Sequence, residues 1–398
     1  VTQRQVLIRV WPSPPIAASV RRLLEESFPE YPLQVIDIVP RLKRKPQLLA
    51  LNLLATLREY GLRTLLDRSR LRVAFFGTPF LFRAVRADLR SQLEPLRPQL
   101  AFTFQLQSLF DASLPGVPHF VYTDHTMLEN LNYPDYPLGA SPRGGPGMLY
   151  SPRWIELERT IYHNASRLFT RSQNISRSLV EEYGCPPEKV ACVYAGSNAR
   201  IVPGEPDNEN YGNRRILFVG ADWERKGGPT LVQAFLQVAE SDPRPRLTIV
   251  GCSPQGLSPR GSPAPGWGDF PQPGLPQIEV VGPVPVQEIH RYYCQASIFC
   301  LPTRLEPFGV AFVEALSYRL PIVTTGVGAT ADFVLEGENG YLVPPGDVGR
   351  LAEALRKLLD DPGRCRAFGE RSYQLAQERY NWASVGRRLR QEILGVLG

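Results

Sequence analysis

The sequence predicts an α/β chain of two domains, each built on a mostly parallel sheet covered by helices on both faces. Three observations carry this. At 398 residues the chain is too long for one ordinary core and suits two domains of roughly 200 residues. Short apolar, strand-like runs alternate with segments of helical period along both halves. The alternation stops at the polar run Pro203 to Asn213, which has no hydrophobic period, and restarts at Arg215.

In the first half, Val6 to Val10 reads as a strand, followed by a Pro-rich turn from Trp11 to Pro15 and a helix through Leu23 to Phe28. Leu33 to Val39 is the second strand. Leu48 to Leu66 has leucines at three- and four-residue spacing and reads as a helix, and Leu71 to Phe76 reads as extended. Ala101 to Phe104, Phe120 to Thr123, Arg167 to Thr170 and Val190 to Tyr194 are further strands, with a helix from about Ser151 to Asn164.

The second half opens with the buried-type strand Arg215 to Gly220 and a helix from Pro229 to Val238. Leu247 to Gly251 is the next strand. Cys252 to Gln277, rich in Pro, Gly and Ser, is a long loop after a strand end, the position where open α/β sheets take ligands. Ile278 to Val281, Ile298 to Leu301, Pro321 to Thr325 and Gly340 to Val343 are strands, and Val286 to Cys294 and Val348 to Leu359 are helices. Phe368 to Leu397 is a helical, basic tail. The expected division is residues 1–202, a linker 203–213, residues 214–378, and a final helix 379–398 that crosses back to the first domain.

A hydrophobic content of 43% excludes wholesale disorder, and no apolar run reaches the roughly 20 residues that span a bilayer. The first residues lack the basic-then-apolar pattern of a signal peptide, so the expected location is the cytoplasm. Cysteines 185, 192, 252, 294, 300 and 365 form no CxxC pair and have no histidine at metal-ligand spacing; neither disulfides nor a bound metal are expected. Residues 41–97 hold 13 Lys or Arg against 4 Asp or Glu, a local balance of +9. That field suits an anionic membrane surface or a phosphorylated acceptor, with peripheral membrane contact one expectation and an ordinary solvated helical face the equal alternative. No RNP pattern, zinc finger or helix-turn-helix accompanies it, so nucleic acid is not expected.

Two stretches carry the chemistry of the second half. In Val219-Gly220-Ala-Asp-Trp-Glu-Arg225-Lys226-Gly227-Gly228 a strand runs into a turn bearing two cations, which can neutralise a diphosphate beside backbone amides. Its glycines match neither GxGxxG nor GxxxxGK[ST], so neither a nicotinamide site nor a P-loop is indicated. In Leu301-Pro-Thr-Arg-Leu-Glu306-Pro-Phe-Gly309-Val-Ala-Phe-Val-Glu314 a strand ends in a polar turn and a helix opens near Gly309. The positive end of that helix suits an anion, with Glu306 at the mouth and Glu314 inside the helix. In the first half, Asp124 and His125 follow a strand, where a histidine can donate to a hydroxyl or carry a proton. Arg171 and Gln105 occupy similar strand ends, while His119, His163 and His290 have no motif around them.

Taken together, Gly220 to Gly227, the E-x7-E pair Glu306 and Glu314, and Thr325-Gly-Val-Gly328 through Asn339-Gly340 resemble the retaining GT-B glycosyltransferases of family 4, mainly over Arg215 to Trp382. The resemblance implies two Rossmann-like domains facing a central cleft, a nucleotide-diphosphate sugar held by the second and the acceptor by the first. By the same resemblance Glu306 contacts the donor sugar near the reaction centre and Glu314 the ribose. Lys226 and Arg225 hold the diphosphate beside Gly220, amides around Phe308, Gly309 and Val310 add donors, and His125 lies near the donor sugar. Neither a metal nor a permanently bound cofactor is implied.

The chain departs from the family pattern in four places. Ala221 stands where Arg often follows the first glycine, Gly328-Ala-Thr-Ala-Asp332 replaces GGxPE, Tyr194-Ala-Gly196 replaces Pro-Asn-Gly, and Trp11 to Pro15 lacks the glycine-rich acceptor loop. The expected function is hexose transfer to a glycan, lipid-linked or small-molecule acceptor. The alternatives are a noncatalytic nucleotide-sugar or glycan-binding protein on the same scaffold and, further off, a phosphorylase, for which no pyridoxal-phosphate lysine motif is present.

Overall fold

Parallel strands with helices on both faces lose contact with water on both sides, and the strand runs that open each half are apolar enough to accept it: Val6 to Ile8 and Ile216 to Phe218 are at most 1% exposed. The computed structural model describes residues 3–10, 15–66, 68–131, 150–197, 209–252 and 277–398. It divides into two units, one of residues up to Tyr194 together with Trp382–Gly398, the other Ala195–Asn381.

In the first unit the strands are β1 (Arg4–Arg9), β2 (Leu33–Asp37), β3 (Leu100–Leu106), β4 (His119–Thr123), β5 (Arg167–Thr170) and β6 (Val190–Cys192). Their order is β2-β1-β3-β4-β5-β6 and every pairing is parallel. Around them run α1 (Pro15–Ser27), α2 (Ile38–Leu42), α3 (Pro46–Tyr60), α4 (Arg68–Phe76), α5 (Pro79–Leu93), α6 (Pro152–Asn164) and α7 (Gln173–Glu181).

The second unit has β7 (Arg215–Val219), β8 (Arg246–Val250), β9 (Ile278–Gly282), β10 (Ile298–Leu301), β11 (Ile322–Thr325) and β12 (Gly340–Val343). The order is β12-β11-β10-β7-β8-β9, again wholly parallel. This is the doubly wound dinucleotide-fold order, and the chain reverses its direction of winding between β7 and β10, where a crevice opens at the carboxyl ends of the strands. The helices are α8 (Gly228–Ser241), α9 (His290–Gln295), α10 (Val310–Ser317), α11 (Thr330–Phe333), α12 (Val348–Leu359) and α13 (Pro362–Arg379).

The last helix, α14 (Trp382–Leu397), lies on α1 of the first unit. Gly386 lets the two approach, since a Cβ there would stand 2.6 Å from Ser27 Oγ, and Arg390 donates to the Ser27 carbonyl and to Glu30 at 2.6 and 2.7 Å.

Several elements differ from the sequence reading. Leu71 to Phe76 belongs to helix α4, because Leu71, Ala74 and Phe75 share a helical face and the run does not alternate; Ala74 is buried. The second strand stops at Asp37 and Ile38 begins a helix. The Leu48 to Leu66 helix ends at Gly61, whose φ of +79° no helix continues through, and a separate 3-10 turn, Leu62–Leu66, follows. His290 starts α9, four residues later than expected, and the tail is two helices broken at Tyr380 and Asn381. The polar run 203–213 does not behave as a free linker where it is described. Tyr211 donates to the Arg319 carbonyl at 2.9 Å and Asn210 to the Cys294 carbonyl at 2.5 Å, tying Glu209–Asn213 to the second unit. Trp11 to Ser13 and Pro14, and residues 253–276 of the long loop, lie outside the described residues.

Candidate active site

The register Ile298↔Ile216 and Phe299↔Leu217 places the ends of β10 and β7 side by side at the reversal point of the second sheet. The turn 220–228 that follows β7 and the turn 302–309 that follows β10 are therefore neighbours, and hydrogen bonds lace them together. Arg304 N–H and Thr303 Oγ1 both donate to the Arg225 carbonyl, at 2.8 and 3.0 Å, and Arg225 Nη1 donates to the Leu305 carbonyl at 2.9 Å. Gly227 makes the approach sterically open: at φ +74° its missing Cβ would stand 1.8 Å from the Pro302 carbonyl oxygen.

The central contact is between Lys226 and Glu306. The ammonium donates to Glu306 Oε2, and the two residues are 8% and 3% exposed. Burial, helped by the Arg225 charge, holds the Lys226 ammonium below the usual lysine range against the pull of Glu306. Arg225 is committed as well, to the Leu305 carbonyl and at 3.2 Å to Asp222. Gly220 offers no free backbone donor: its N–H goes to the Val250 carbonyl at 2.9 Å, and its carbonyl accepts from Cys252. Its contribution is space, since a Cβ there would lie 3.0 Å from Lys226 Cγ.

Gly309, at φ +92°, turns the chain into α10, and a Cβ there would meet the Phe312 ring at 2.6 Å and Glu306 at 3.1 Å. The first amides of α10, at Val310 and Ala311, lie where a helix has no acceptors of its own. Phe308 is 4% exposed and packs edge-on to Phe333 at 5.5 Å, while Phe312 stacks on Phe333 at 5.3 Å, so an aromatic cluster anchors that end of the helix. Ala329 N–H donates to the Glu306 carbonyl at 2.9 Å, bringing in the third predicted stretch. Glu314, one turn along α10 and 7% exposed, accepts from Tyr293 at 2.8 Å; burial pushes its carboxyl up to about 7 against that hydrogen bond. Tyr293 carried no signal of its own in the sequence beyond following His290.

In the first unit a second polar group forms at the ends of β4 and β5. Asp124 bridges His125 Nδ1 at 2.8 Å and Arg171 Nη1 at 2.7 Å, and Arg171 lies over the Tyr122 ring at 5.0 Å. His125 is 26% exposed and Arg171 only 4%. Burial works to raise the Asp124 carboxyl, but Arg171 and His125 outweigh it and hold it well below the usual range. Burial works to lower His125, yet its bond to Asp124 prevails and the imidazole is raised.

The other candidates fall away from these groups. Gln105 is consumed locally, donating to the Gln107 carbonyl at 2.8 Å and accepting from Ala112 N–H at 3.1 Å. His119 is a core residue bonded to Thr103 at 2.7 Å, and burial pushes it down to about 4. Sequence reasoning passed over Glu158, which is fully buried and takes hydroxyls from Tyr183, Tyr162 at 2.9 Å and Ser108 at 3.2 Å; burial pushes it up to about 7. The available signal was its place in the apolar stripe of α6, with Trp154, Ile155, Ile161 and Tyr162.

Comparison with known proteins bears on the family and the fold. Residues 33–199 match the model of Glycosyltransferase Family 4, and residues 213–361 match that of Glycosyl transferases group 1. A D-inositol 3-phosphate glycosyltransferase of Corynebacterium aurimucosum is 28% identical over 244 residues, 58% of this chain and 57% of the relative. An MMP alpha-(1->4)-mannosyltransferase of Mycolicibacterium hassiacum is 26% identical over 238 residues, 58% of this chain and 56% of the relative. The chain thus spans less than three fifths of the length of these relatives. Among solved structures, sucrose-phosphate synthase from Thermosynechococcus elongatus aligns with a TM-score of 0.66 at 17% identity, covering 98% of both chains. WaaG, a glycosyltransferase involved in lipopolysaccharide biosynthesis, aligns at 0.61 and 14%, covering 98% of this chain and 100% of its own; at such identities the likeness is one of fold. With one family model on each unit and two wholly parallel six-stranded sheets, the chain belongs to the family-4 glycosyltransferases and has the GT-B fold.

Proposed function

We propose that this chain transfers a hexose from a nucleotide-diphosphate sugar to an acceptor hydroxyl with retention of anomeric configuration. The observation that carries the reading is the buried Lys226–Glu306 pair at the mouth of α10, with Glu314 one turn further in. A diphosphate arriving there gives the ammonium a second anion and meets the positive end of the helix, while Glu306 is set free to accept from sugar hydroxyls. Glu314 is the acceptor for the ribose. In the transfer step the bond from the anomeric carbon to the β-phosphate oxygen breaks and the bond to the acceptor oxygen forms on the same face. The acceptor proton passes to the departing phosphate, whose charge Lys226 and Arg225 offset. His125, held by Asp124, is assigned to the acceptor side of the reaction and to a sugar hydroxyl.

The relatives named for inositol 3-phosphate and the mannosyltransferase support a hydroxyl-rich acceptor, phosphorylated polyols first among those to be screened. HepE from Anabaena, a fold neighbour at TM-score 0.63, is a complex with UDP, which makes UDP-sugars the first donors to try.

The test is thermal unfolding of the chain with UDP-, GDP- and ADP-sugars, compared with Glu314→Ala and Lys226→Ala. A donor at a hundred times its Kd raises stability by about 2.7 kcal/mol, and the gain should shrink in both variants. No protection by any donor would sink the assigned donor site. Protection without either donor hydrolysis or transfer would place the chain with nucleotide-sugar-binding proteins on the same scaffold. Proton NMR of the product then reads the configuration at the new linkage; inversion would overturn the same-face step.

A further inference from the structure

Helix α3 turns polar side chains inward over its middle turns. Its buried side chains are the polar Asn52 and Thr56. Asn52 donates to the Phe75 carbonyl at 2.7 Å and accepts from Thr78 Oγ1, and Thr56 donates back to the Asn52 carbonyl at 2.7 Å, so the inward face is satisfied by hydrogen bonds. Leu48 and Leu49 are half-buried against the core, but the leucines of the middle of the helix, Leu51, Leu53 and Leu54, are exposed. Leu51 and Leu54 are 54% and 65% exposed and share with Gln47 and Arg58 one stripe at three- and four-residue spacing. The next turn, Leu62–Leu66, repeats the inversion: Thr64 is buried, while Leu62, Leu65 and Leu66 are 72%, 46% and 88% exposed.

Cations frame these leucines. Lys43, Arg44, Arg58 and Arg63 are exposed, and none forms an ion pair among the described residues. Arg41 and Lys45 differ, both being bound to Asp88 in the shallow groove between α2 and α5, so that groove adds no anion site. The face is thus apolar at its centre and positive at its margin, within a region whose balance is +9. A second copy of the chain would bring the same positive field to a self-complementary contact and be repelled. An anionic bilayer supplies what the face lacks on both counts, negative charge in its headgroups and an acyl boundary for the leucines.

We propose that α3 and the Leu62–Leu66 turn form a membrane-docking face of the first unit, lying in the plane of an anionic bilayer surface with the leucines at the acyl boundary and Lys43, Arg44, Arg58 and Arg63 among the headgroups. The proposal stands apart from the donor-site reading, since none of these residues belongs to the second unit.

The experiment is co-sedimentation of the full chain with phosphatidylglycerol–phosphatidylcholine vesicles and with phosphatidylcholine vesicles, at low and high salt. The chain should bind the anionic vesicles strongly at low salt and the neutral ones weakly. The variant K43Q/R44Q/R58Q/R63Q should lose roughly fivefold per cation, more than a hundredfold in all. The variant L54Q/L66Q should lose about tenfold or more with the salt dependence kept. Hydrogen exchange on the unaltered chain gives a readout that no variant can confound: amides 46–66 should gain protection on anionic vesicles. No binding to anionic vesicles, unchanged binding by L54Q/L66Q, or no added protection over 46–66 would each overturn the proposal. So would a dimer in analytical ultracentrifugation that L54Q/L66Q abolishes, which would assign the face to a second copy.

Discussion

The Lys226 ammonium is hydrogen-bonded to the Glu306 carboxylate although 80 residues separate them in sequence, and both are almost fully buried. Removing one member of such a pair leaves a charge in a low-dielectric site, which costs more than the pair itself contributes. Lys226→Ala or Lys226→Met should therefore destabilise the chain by about 3 kcal/mol or more. The double variant K226M/E306Q should recover at least half of that loss, measured as urea midpoints in a double-mutant cycle. Additive single and double effects would mean that the two groups do not interact in solution.

Gly227 and Gly326 offer a matched comparison. At Gly227 the φ is +74° and the space for a Cβ is filled by the Pro302 carbonyl, while nothing lies within 4 Å of a Cβ at Gly326. Gly227→Ala should cost more than about 3 kcal/mol by forcing the two site turns apart, and Gly326→Ala should stay within about 0.5 kcal/mol. Similar midpoints for the two in denaturant titrations would refute the close approach of the turns.

Glu314 makes the stability of the donor-free chain depend on pH in a definite direction. The folded carboxyl keeps its proton up to about 7, whereas an ordinary one releases it near 4.5. Between those values the unfolded state binds fewer protons than the folded state, so stability falls as pH rises through the window. The difference in unfolding free energy between Glu314→Gln and the parent chain should therefore shift in favour of the variant between pH 4.5 and 7, by about 3 kcal/mol at most. Glu158, raised to about 7 in the other unit, predicts a second component of the same sign that Glu158→Gln removes. A flat difference profile for Glu314→Gln would show that its carboxyl is ionised in the folded chain at ordinary pH.

Asp124 holds two partners of different kinds. Its own lowered pKa adds stability above about pH 3.8 that is lost as pH falls through the folded value, and the raised His125 adds stability below 6.5 that is lost as pH rises through its folded value. Asp124→Asn should lower the His125 pKa, followed by its ring-proton NMR shifts. It should also cost about 3 kcal/mol near neutral pH by leaving the buried Arg171 without its carboxylate. An unmoved His125 titration would mean that the imidazole is raised by something other than Asp124.

Much of this protein was legible along the chain because its signals are local. Apolar runs fix which segments become central parallel strands, and glycines at Gly227 and Gly309 mark turns that only a residue without a Cβ can make. The spacing of Glu306 and Glu314, eight residues apart across one turn and helix, is likewise a sequence property, as is the family resemblance that named Lys226 and His125. Tertiary structure decided the rest, for one physical reason: a side chain's surroundings come from segments far away in sequence. Hydrophobic spacing in Leu48 to Leu66 says that a helix has a leucine face but not which way that face turns, and here Asn52 claims the interior through bonds to Phe75 and Thr78, with Thr56 bonded back to the Asn52 carbonyl. Burial by distant residues likewise sets Glu158 and Glu314 near neutrality, and strand order alone brings the turn after β7 beside the turn after β10, so that Lys226 meets Glu306.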